Sequence, residues 1–273
     1  MAIRLIAMDL DDTLLRNDLT ISAGTVATIR RARAQGIITT IATGRTPAAM
    51  RPYAEQLEID VPVITFHGAL IQQALSGEVL FRHALGAELA RELAADVLSR
   101  KMHVQIYCRG KILVQEKNAL SSEYERISKV EIEAADLLKL LDDPEASVEK
   151  ILIIGEEAEL DLLTPEFQAR YGEKVHLTKS KPFFLEMTDA SVNKGAALAA
   201  LAQRYGIRQE EVMAIGDSFN DLEMLRYAGL GVAVGNARRE IREEADAVTL
   251  SNEEDGVAAA IEKYALRGSK TWI

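Results

Sequence analysis

Three aspartates lie within four positions near the start of the chain, at Asp9, Asp11 and Asp12. They follow residues 3–8, an almost entirely apolar run that predicts a buried parallel strand. Ligands of open α/β sheets bind outside the carboxyl ends of the strands, so this strand carries its acids into a binding crevice. Neighbouring carboxylates repel one another, and Mg²⁺, which binds carboxylates together with substrate phosphates, removes that repulsion. Taken alone, the stretch has a simpler alternative, a solvated acidic turn.

Other predicted strands of the same kind also end in polar or small residues, and a lysine opens a later helix. These positions are Thr43-Gly44, His67-Gly68, Gly216-Asp217, Asn220-Asp221 and Asn193-Lys194. The carboxyl ends of parallel strands meet at one edge of a sheet. We therefore expect these residues to converge on the crevice that holds the first aspartates.

The apolar pattern divides the chain into three parts. Strands alternate with helices up to Gly68 and again from Asn193, which predicts a parallel sheet covered by helices. The middle part contains hairpins and helices and predicts an α+β unit with a mainly antiparallel sheet. The predicted fold is α/β: a Rossmann-like, doubly wound parallel core of residues 1–83 and 188–273. Residues 84–187, called the cap segment below, are inserted into it.

Several local predictions accompany this division. Ser22 caps a helix that ends before Gly36, and Thr46-Pro47 begins the next helix. Residues 62–66 form a third strand. A helix covers residues 134–141, and the acidic run 131–136 is a solvated helix face.

Composition narrows the possible partners and the compartment. The 273 residues carry a formal charge of −10 and a sequence pI of about 5.1. That field repels nucleic-acid phosphates and anionic lipid, so neither partner is expected. Cys108 is the single cysteine, which excludes an intramolecular disulfide and a thiolate zinc cluster. With no apolar leader and no run near 18 apolar residues, a cytoplasmic monomer or small homo-oligomer is expected.

The ordered motifs resemble the haloacid dehalogenase superfamily of phosphotransferases, and more narrowly its Cof-type sugar phosphatases. The resemblance spans the whole chain, because all four superfamily motifs occur in order and the insert falls after the third core strand. Gly-Asp-Ser-Phe-Asn-Asp at residues 216–221 matches the last motif of the family. One Asp-x-Asp pair is a weak signal, but the ordered set is strong.

The resemblance implies a role for each matching residue. Asp9 is the expected nucleophile, giving an aspartyl-phosphate, and Asp11 the expected acid and then base. Donation by Asp11 at neutral pH requires a raised pKa, which the neighbouring carboxylates can provide. The family pattern implies that Mg²⁺ is held by Asp9, the main-chain carbonyl of Asp11 and Asp217, with Asp221 close by. The residues expected to bind phosphate are Thr43, Gly44, Lys194 and Asn220.

Some positions depart from the family pattern or have simpler explanations. His67 stands where the family often has asparagine, and we expect it to be a hydrogen-bonded wall of the pocket. Asp12 stands where glycine is frequent. Thr43 could simply cap a turn, and Arg45 is expected to pair with a surface acid. Polar cap residues without a basis for choosing among them are His103, Tyr107, Arg109, His176, Lys179 and Lys181.

The predicted function is a Mg²⁺-dependent phosphatase for small phosphorylated metabolites, with sugar phosphates as the expected class. A sugar phosphomutase, which uses the same aspartate pair, is the nearest alternative. A non-catalytic regulator that binds phosphometabolites is the other, although such a binder needs neither a nucleophile nor an acid. Dehalogenation is disfavoured, because that chemistry needs neither Asp11 nor a metal.

Overall fold

The structure is a computed structural model that describes residues 2–266. Its strands, in chain order, are β1 (Leu5–Met8), β2 (Ile38–Ile41), β3 (Pro62–Thr65), β4 (Leu70–Gln73), β5 (Val79–Arg82), β6 (His103–Cys108), β7 (Lys111–Val114), β8 (Ile132–Ala134), β9 (Val148–Ile154), β10 (Val175–Lys181), β11 (Phe184–Asp189), β12 (Val212–Gly216), β13 (Leu230–Ala233) and β14 (Ala247–Val248). Its helices are α1 (Ala23–Ala34), α2 (Pro47–Gln56), α3 (Ala87–Ser99), α4 (Ala119–Ser128), α5 (Leu137–Leu140), α6 (Glu157–Tyr171), α7 (Lys194–Arg204), α8 (Leu222–Tyr227), α9 (Arg239–Glu244) and α10 (Gly256–Tyr264).

A parallel five-stranded sheet forms the core, with strand order β14-β13-β12-β1-β2. Strand β1 lies at its centre, where Leu5 pairs with Val212 on one side and with Ile38 on the other. All four residues of β1 are buried, as expected for a strand covered on both faces. One parallel bridge, Ala42 to Ile64, attaches the antiparallel sheet β3-β4-β5 to this core. The predicted α/β class with a parallel core is confirmed.

The first two core helices begin where their capping residues predict. The Ser22 hydroxyl accepts the Thr25 N–H at the start of α1, and Gly36 follows that helix with φ of +83°. The Thr46 hydroxyl likewise accepts the Ala49 N–H at the start of α2. These caps satisfy backbone donors that a helix leaves unpaired at its amino end. The predicted starts of both helices are therefore confirmed.

The cap segment contributes most of a second, six-stranded sheet with the order β10-β11-β9-β6-β7-β8. Its pairs are antiparallel except for β7 and β8. The helix predicted over residues 134–141 is wrong in its first part, because Ala134 pairs with Val114 as the last residue of strand β8 and the helix α5 begins only at Leu137. The acidic run is therefore not a helix face. Asp136 instead caps the short helix α5 by accepting the Lys139 N–H.

Apolar clusters hold the sheets and their helices together. One cluster lies between the core sheet and its helices. Another lies within the cap segment, where the Cys108 side chain is buried. A third cluster lies between them and combines Phe66 of the core with Tyr107 and Leu152 of the cap segment. Among residues 2–266, no helix combines the length and apolar character that crossing a membrane requires. The borders predicted at residues 84 and 187 stay predictions, and residues 1 and 267–273 lie outside the described part.

Candidate active site

A buried lysine links two aspartates that are distant in sequence. Asp9 follows the central strand β1 and is 5% exposed, and Lys194 is fully buried at the first position of α7. The Lys194 ammonium lies 2.6 Å from Asp9 Oδ1 and 2.6 Å from Asp221 Oδ1. Buried charges persist only when they are paired and hydrogen-bonded. This three-residue contact therefore fixes the nucleophile candidate, the lysine and the last motif relative to one another.

The turn after β12 holds both acids of the last motif, Asp217 and Asp221. Asp221 Oδ2 accepts the backbone N–H groups of Asp217 (3.0 Å) and Ser218 (3.1 Å). The Thr13 hydroxyl, a contact not predicted from the sequence, donates to Asp217 Oδ1 at 2.7 Å. A Cβ on Gly216 would lie 2.6 Å from the Asp221 side chain. Glycine is thus the residue that lets the Asp221 carboxylate fold back over this turn.

The geometry of the buried acids fits a divalent cation. Carboxylate oxygens of Asp9, Asp217 and Asp221 lie within 4.8 Å of one another, and Lys194 supplies one positive charge against these three acids. Burial, together with the charges of Asp221 and Asp11, raises the pKa of Asp9 to about 8. Burial and the same kind of repulsion raise the pKa of Asp217 well above its ordinary value. A hard, oxygen-seeking ion such as Mg²⁺ would relieve that repulsion.

Asp11 is held differently from the other acids. Arg45 binds it through two hydrogen bonds, from Nε to Oδ2 at 2.8 Å and from Nη2 to Oδ1 at 2.7 Å. Burial raises the pKa of Asp11, but the hydrogen bonds and charge of Arg45 outweigh it and lower the pKa below its ordinary value. The expectation of a raised pKa for Asp11 is therefore wrong here. The expectation that Arg45 pairs with a surface acid is also wrong, because its partner Asp11 lines the cavity.

The loop after β2 presents Thr43 and Gly44 to the same cavity. Thr43 Oγ1 accepts the Arg45 N–H at 3.1 Å, and the Thr43 carbonyl accepts the His67 N–H at 3.0 Å. The threonine therefore does cap a turn, the simpler role foreseen from the sequence. Because that bond uses an oxygen lone pair, the hydroxyl hydrogen stays available to another acceptor. Helix α2 begins three residues after Gly44.

Alanine at position 44 is expected to destabilise the protein. A Cβ on Gly44 would lie 2.2 Å from the ring of His67, which is itself buried. Overpacking of this kind costs about 1–3 kcal/mol, and urea denaturation should report a loss of that size. Gly24→Ala is the matched control, since its Cβ meets no atom closer than 3.5 Å. Equal stability of Gly44→Ala and the wild type would mean that the loop shifts freely to admit a methyl group.

A buried network joins the cap segment to this loop. The Lys150 ammonium donates to the Gly44 carbonyl at 2.9 Å and to Glu186 Oε1 at 2.7 Å. His67 Nε2 lies 2.9 Å from the same Glu186 oxygen, and its Nδ1 lies 3.4 Å from the Asn220 amide nitrogen. Burial lowers the pKa of His67 despite the nearby carboxylate. His67 is thus a hydrogen-bonded wall of the pocket, as expected.

Sequence reasoning missed Lys150 and Glu186. Both are charged residues that directly adjoin apolar residues in the strands β9 and β11, and both are buried. A charge within a buried strand needs a partner, so this pattern was the available signal. Of the six polar cap residues named from the sequence, Lys181 lines the cavity and pairs with Asp12. The other cap side chains that line it are Tyr124, Ile127, Ser128, Ser180 and Phe184, with Lys150 and Glu186.

Comparisons with known proteins agree with this arrangement. Residues 6–261 match the family model of haloacid dehalogenase-like hydrolases. A 5-amino-6-(5-phospho-D-ribitylamino)uracil phosphatase of Bacillus subtilis is 32% identical over 266 residues, which are 97% of this chain and 96% of the relative. An HMP-PP phosphatase of Escherichia coli is 32% identical over 241 residues, covering 88% of this chain and 87% of the relative.

A solved structure extends the likeness to the fold. It is a sugar phosphatase of haloacid dehalogenase subclass IIB, 25% identical, and superposes with a TM-score of 0.83 over 96% of this chain and 98% of its own. The family model spans both the core and the cap segment. This chain therefore belongs to the haloacid dehalogenase-like hydrolases, as a phosphoric monoester hydrolase of their Cof-type branch.

Proposed function

We propose that the protein is a Mg²⁺-dependent phosphatase that hydrolyses small phosphorylated metabolites, sugar phosphates among them, through an aspartyl-phosphate. The observation that carries the proposal is the contact of Asp9 with Lys194 beside Asp217 and Asp221. Asp9 and Asp217 thus line the same cavity as Thr43 and Gly44, and the buried ammonium of Lys194 contacts Asp9 from behind it. A protein that merely binds phosphate has no use for the nucleophile.

Asp9 is the proposed nucleophile. Its carboxylate oxygen forms a bond to phosphorus while the bond from phosphorus to the leaving oxygen breaks. Asp11 donates a proton to that oxygen, and a phosphate dianion beside it favours its protonated form. A water molecule then attacks phosphorus, and the bond between phosphorus and the Asp9 oxygen breaks, which releases inorganic phosphate and the Asp9 carboxylate. Asp11 accepts the proton of that water. Arg45 favours the ionised form of Asp11 that this second step requires.

Asp9 and Asp217 are the proposed metal ligands, with the main-chain carbonyl of Asp11 as a third. Both carboxylate oxygens of Asp221 already accept hydrogen bonds, so this residue supports the site from close by. Bound Mg²⁺ would screen the phosphate from the carboxylates and orient the transferring group.

The remaining roles concern the phosphate and the rest of the substrate. Thr43 donates its hydroxyl and Gly44 its N–H to phosphate oxygens, and Lys194 balances their charge. Asn220 completes the phosphate site from beside His67. The relatives are named for a phosphorylated ribityl compound, for HMP-PP and for sugars, which supports a small phosphorylated metabolite here. A cytoplasmic monomer or small homo-oligomer without nucleic-acid or membrane partners completes the proposal.

A screen of phosphorylated metabolites for phosphate release tests the function. We expect release with Mg²⁺, loss to background with excess EDTA, and recovery when Mg²⁺ is restored. Unaffected release in EDTA would contradict the metal requirement. Interconversion of sugar-1- and sugar-6-phosphates without phosphate release would instead identify a mutase. Tight binding without either reaction would identify a regulator.

A further inference from the structure

We infer that Lys150 of the cap segment is a positioning residue for the phosphate-binding loop. It holds the Gly44 carbonyl and so fixes the peptide between Gly44 and Arg45 beside the Thr43 hydroxyl. The phosphate site is then complete only when the cap segment is docked on the core. The inference rests on the proposed function, which makes residues 43–45 a phosphate-binding loop.

The Lys150 ammonium is already engaged by groups of the protein. It bonds the Gly44 carbonyl at 2.9 Å and Glu186 Oε1 at 2.7 Å, and it lies 4.5 Å from the centre of the Tyr107 ring. An ammonium group has three N–H donors, and these two oxygens account for two of them. Its side chain is 2% exposed. Lys150 therefore acts on the reaction through the loop rather than by contact with substrate.

The peptide between Gly44 and Arg45 is restrained at both ends. Its carbonyl accepts from Lys150, and its N–H donates to Thr43 Oγ1 at 3.1 Å. Because a peptide group is planar, a donor fixed on the carbonyl side also fixes the direction of the N–H. That direction sets which lone pair of the Thr43 hydroxyl is used, and so limits the orientations left for the hydroxyl hydrogen. The cap segment thereby sets the donor that faces the phosphate.

Glu186 keeps Lys150 in place. Its Oε1 accepts a hydrogen bond from Lys150 and lies 2.9 Å from the ring Nε2 of His67. The backbone N–H of His67 in turn donates to the Thr43 carbonyl at 3.0 Å. The pKa of Glu186 is lowered well below its ordinary value by His67 and Lys150 against the effect of burial, so the lysine and the carboxylate form an ion pair. An opposite-charge pair adds little net field at the phosphate. The effect of Lys150 is therefore geometric.

The test measures the affinity for inorganic phosphate by isothermal titration calorimetry in Mg²⁺ buffer. Two variants are compared with the wild type: Lys150→Met, and Lys150→Met combined with Glu186→Gln. The double variant leaves no unpaired buried charge, so it keeps the test valid if the single variant fails to fold. Lys111→Met removes an exposed cap lysine that pairs with Glu133 and controls for lost charge.

We expect both Lys150 variants to bind phosphate about tenfold more weakly or worse, the size of effect that one lost interaction of about 1.4 kcal/mol produces. Lys111→Met should bind as the wild type does. Wild-type affinity in the double variant would overturn the inference, since Lys150 would then only neutralise Glu186. A wild-type protein that binds phosphate but hydrolyses no ester would reject the phosphatase proposal and still leave this comparison decisive.

Discussion

Asp9→Asn should lower phosphate release by roughly a thousandfold or more, the scale on which loss of a catalytic nucleophile acts. The amide has nearly the shape of the carboxylate but lacks its charged oxygen, so no bond to phosphorus forms. The amide oxygen of the variant can still accept a hydrogen bond from Lys194, whose ammonium lies 2.6 Å from the Asp9 carboxylate in the wild type. We therefore expect the variant to fold normally while turnover is lost.

Continuous measurement of released phosphate with Mg²⁺ present checks this, alongside circular dichroism to verify the fold. Asp161→Asn is the matched control, because Asp161 lies on α6 with its side chain 61% exposed and pairs with Lys179. That control should release phosphate at the wild-type rate. Nearly normal release by the Asp9 variant would remove this residue from the nucleophile role.

Lys194→Met should produce the largest loss of stability. The ammonium is fully buried and neutralises Asp9 and Asp221 at 2.6 Å each. Removing one partner of a buried ion pair typically costs about 3–5 kcal/mol, because an uncompensated charge stays behind. We expect the free energy of unfolding to fall by about that amount and phosphate release to be lost as well.

Urea unfolding with and without Mg²⁺ measures this effect and tests its cause. If charge repulsion among the acids is responsible, Mg²⁺ should bind the folded variant and reduce the difference in the free energy of unfolding between the variant and the wild type. Lys139→Met, at an exposed position of α5, should unfold as the wild type does. A difference in the free energy of unfolding that is the same with and without Mg²⁺ would instead point to lost packing of the lysine side chain.

Residues at strand ends were predictable because their signal is local. The apolar run before Asp9 identifies a buried strand, and the following acids must leave it at the carboxyl edge, where parallel strands place their ligands. The same reasoning reaches Thr43 and Asp217 without knowledge of the strand order. The structure brings these segments together around one cavity.

Pairings across the chain were not predictable from the sequence in the same way. Nothing near Arg45 indicates that it turns towards Asp11 rather than solvent, since both side chains come from separate loops. Glu186 and Lys150 likewise meet only because β11 pairs with β9. Strand β8 was missed because it forms only by pairing with β7, while the acids within and around it, Glu131, Glu133 and Asp136, suggest a solvated face.

The apolar cluster that contains Phe66, Tyr107 and Leu152 joins the core to the cap segment beside the cavity. Separation of the core from the cap segment would expose Phe66, Tyr107 and Leu152 to water, and these side chains are almost completely buried. Attraction between apolar surfaces weakens on cooling, and newly hydrated apolar area adds heat capacity. Temperature should thus change how readily the core and the cap segment separate, through the apolar contact between them.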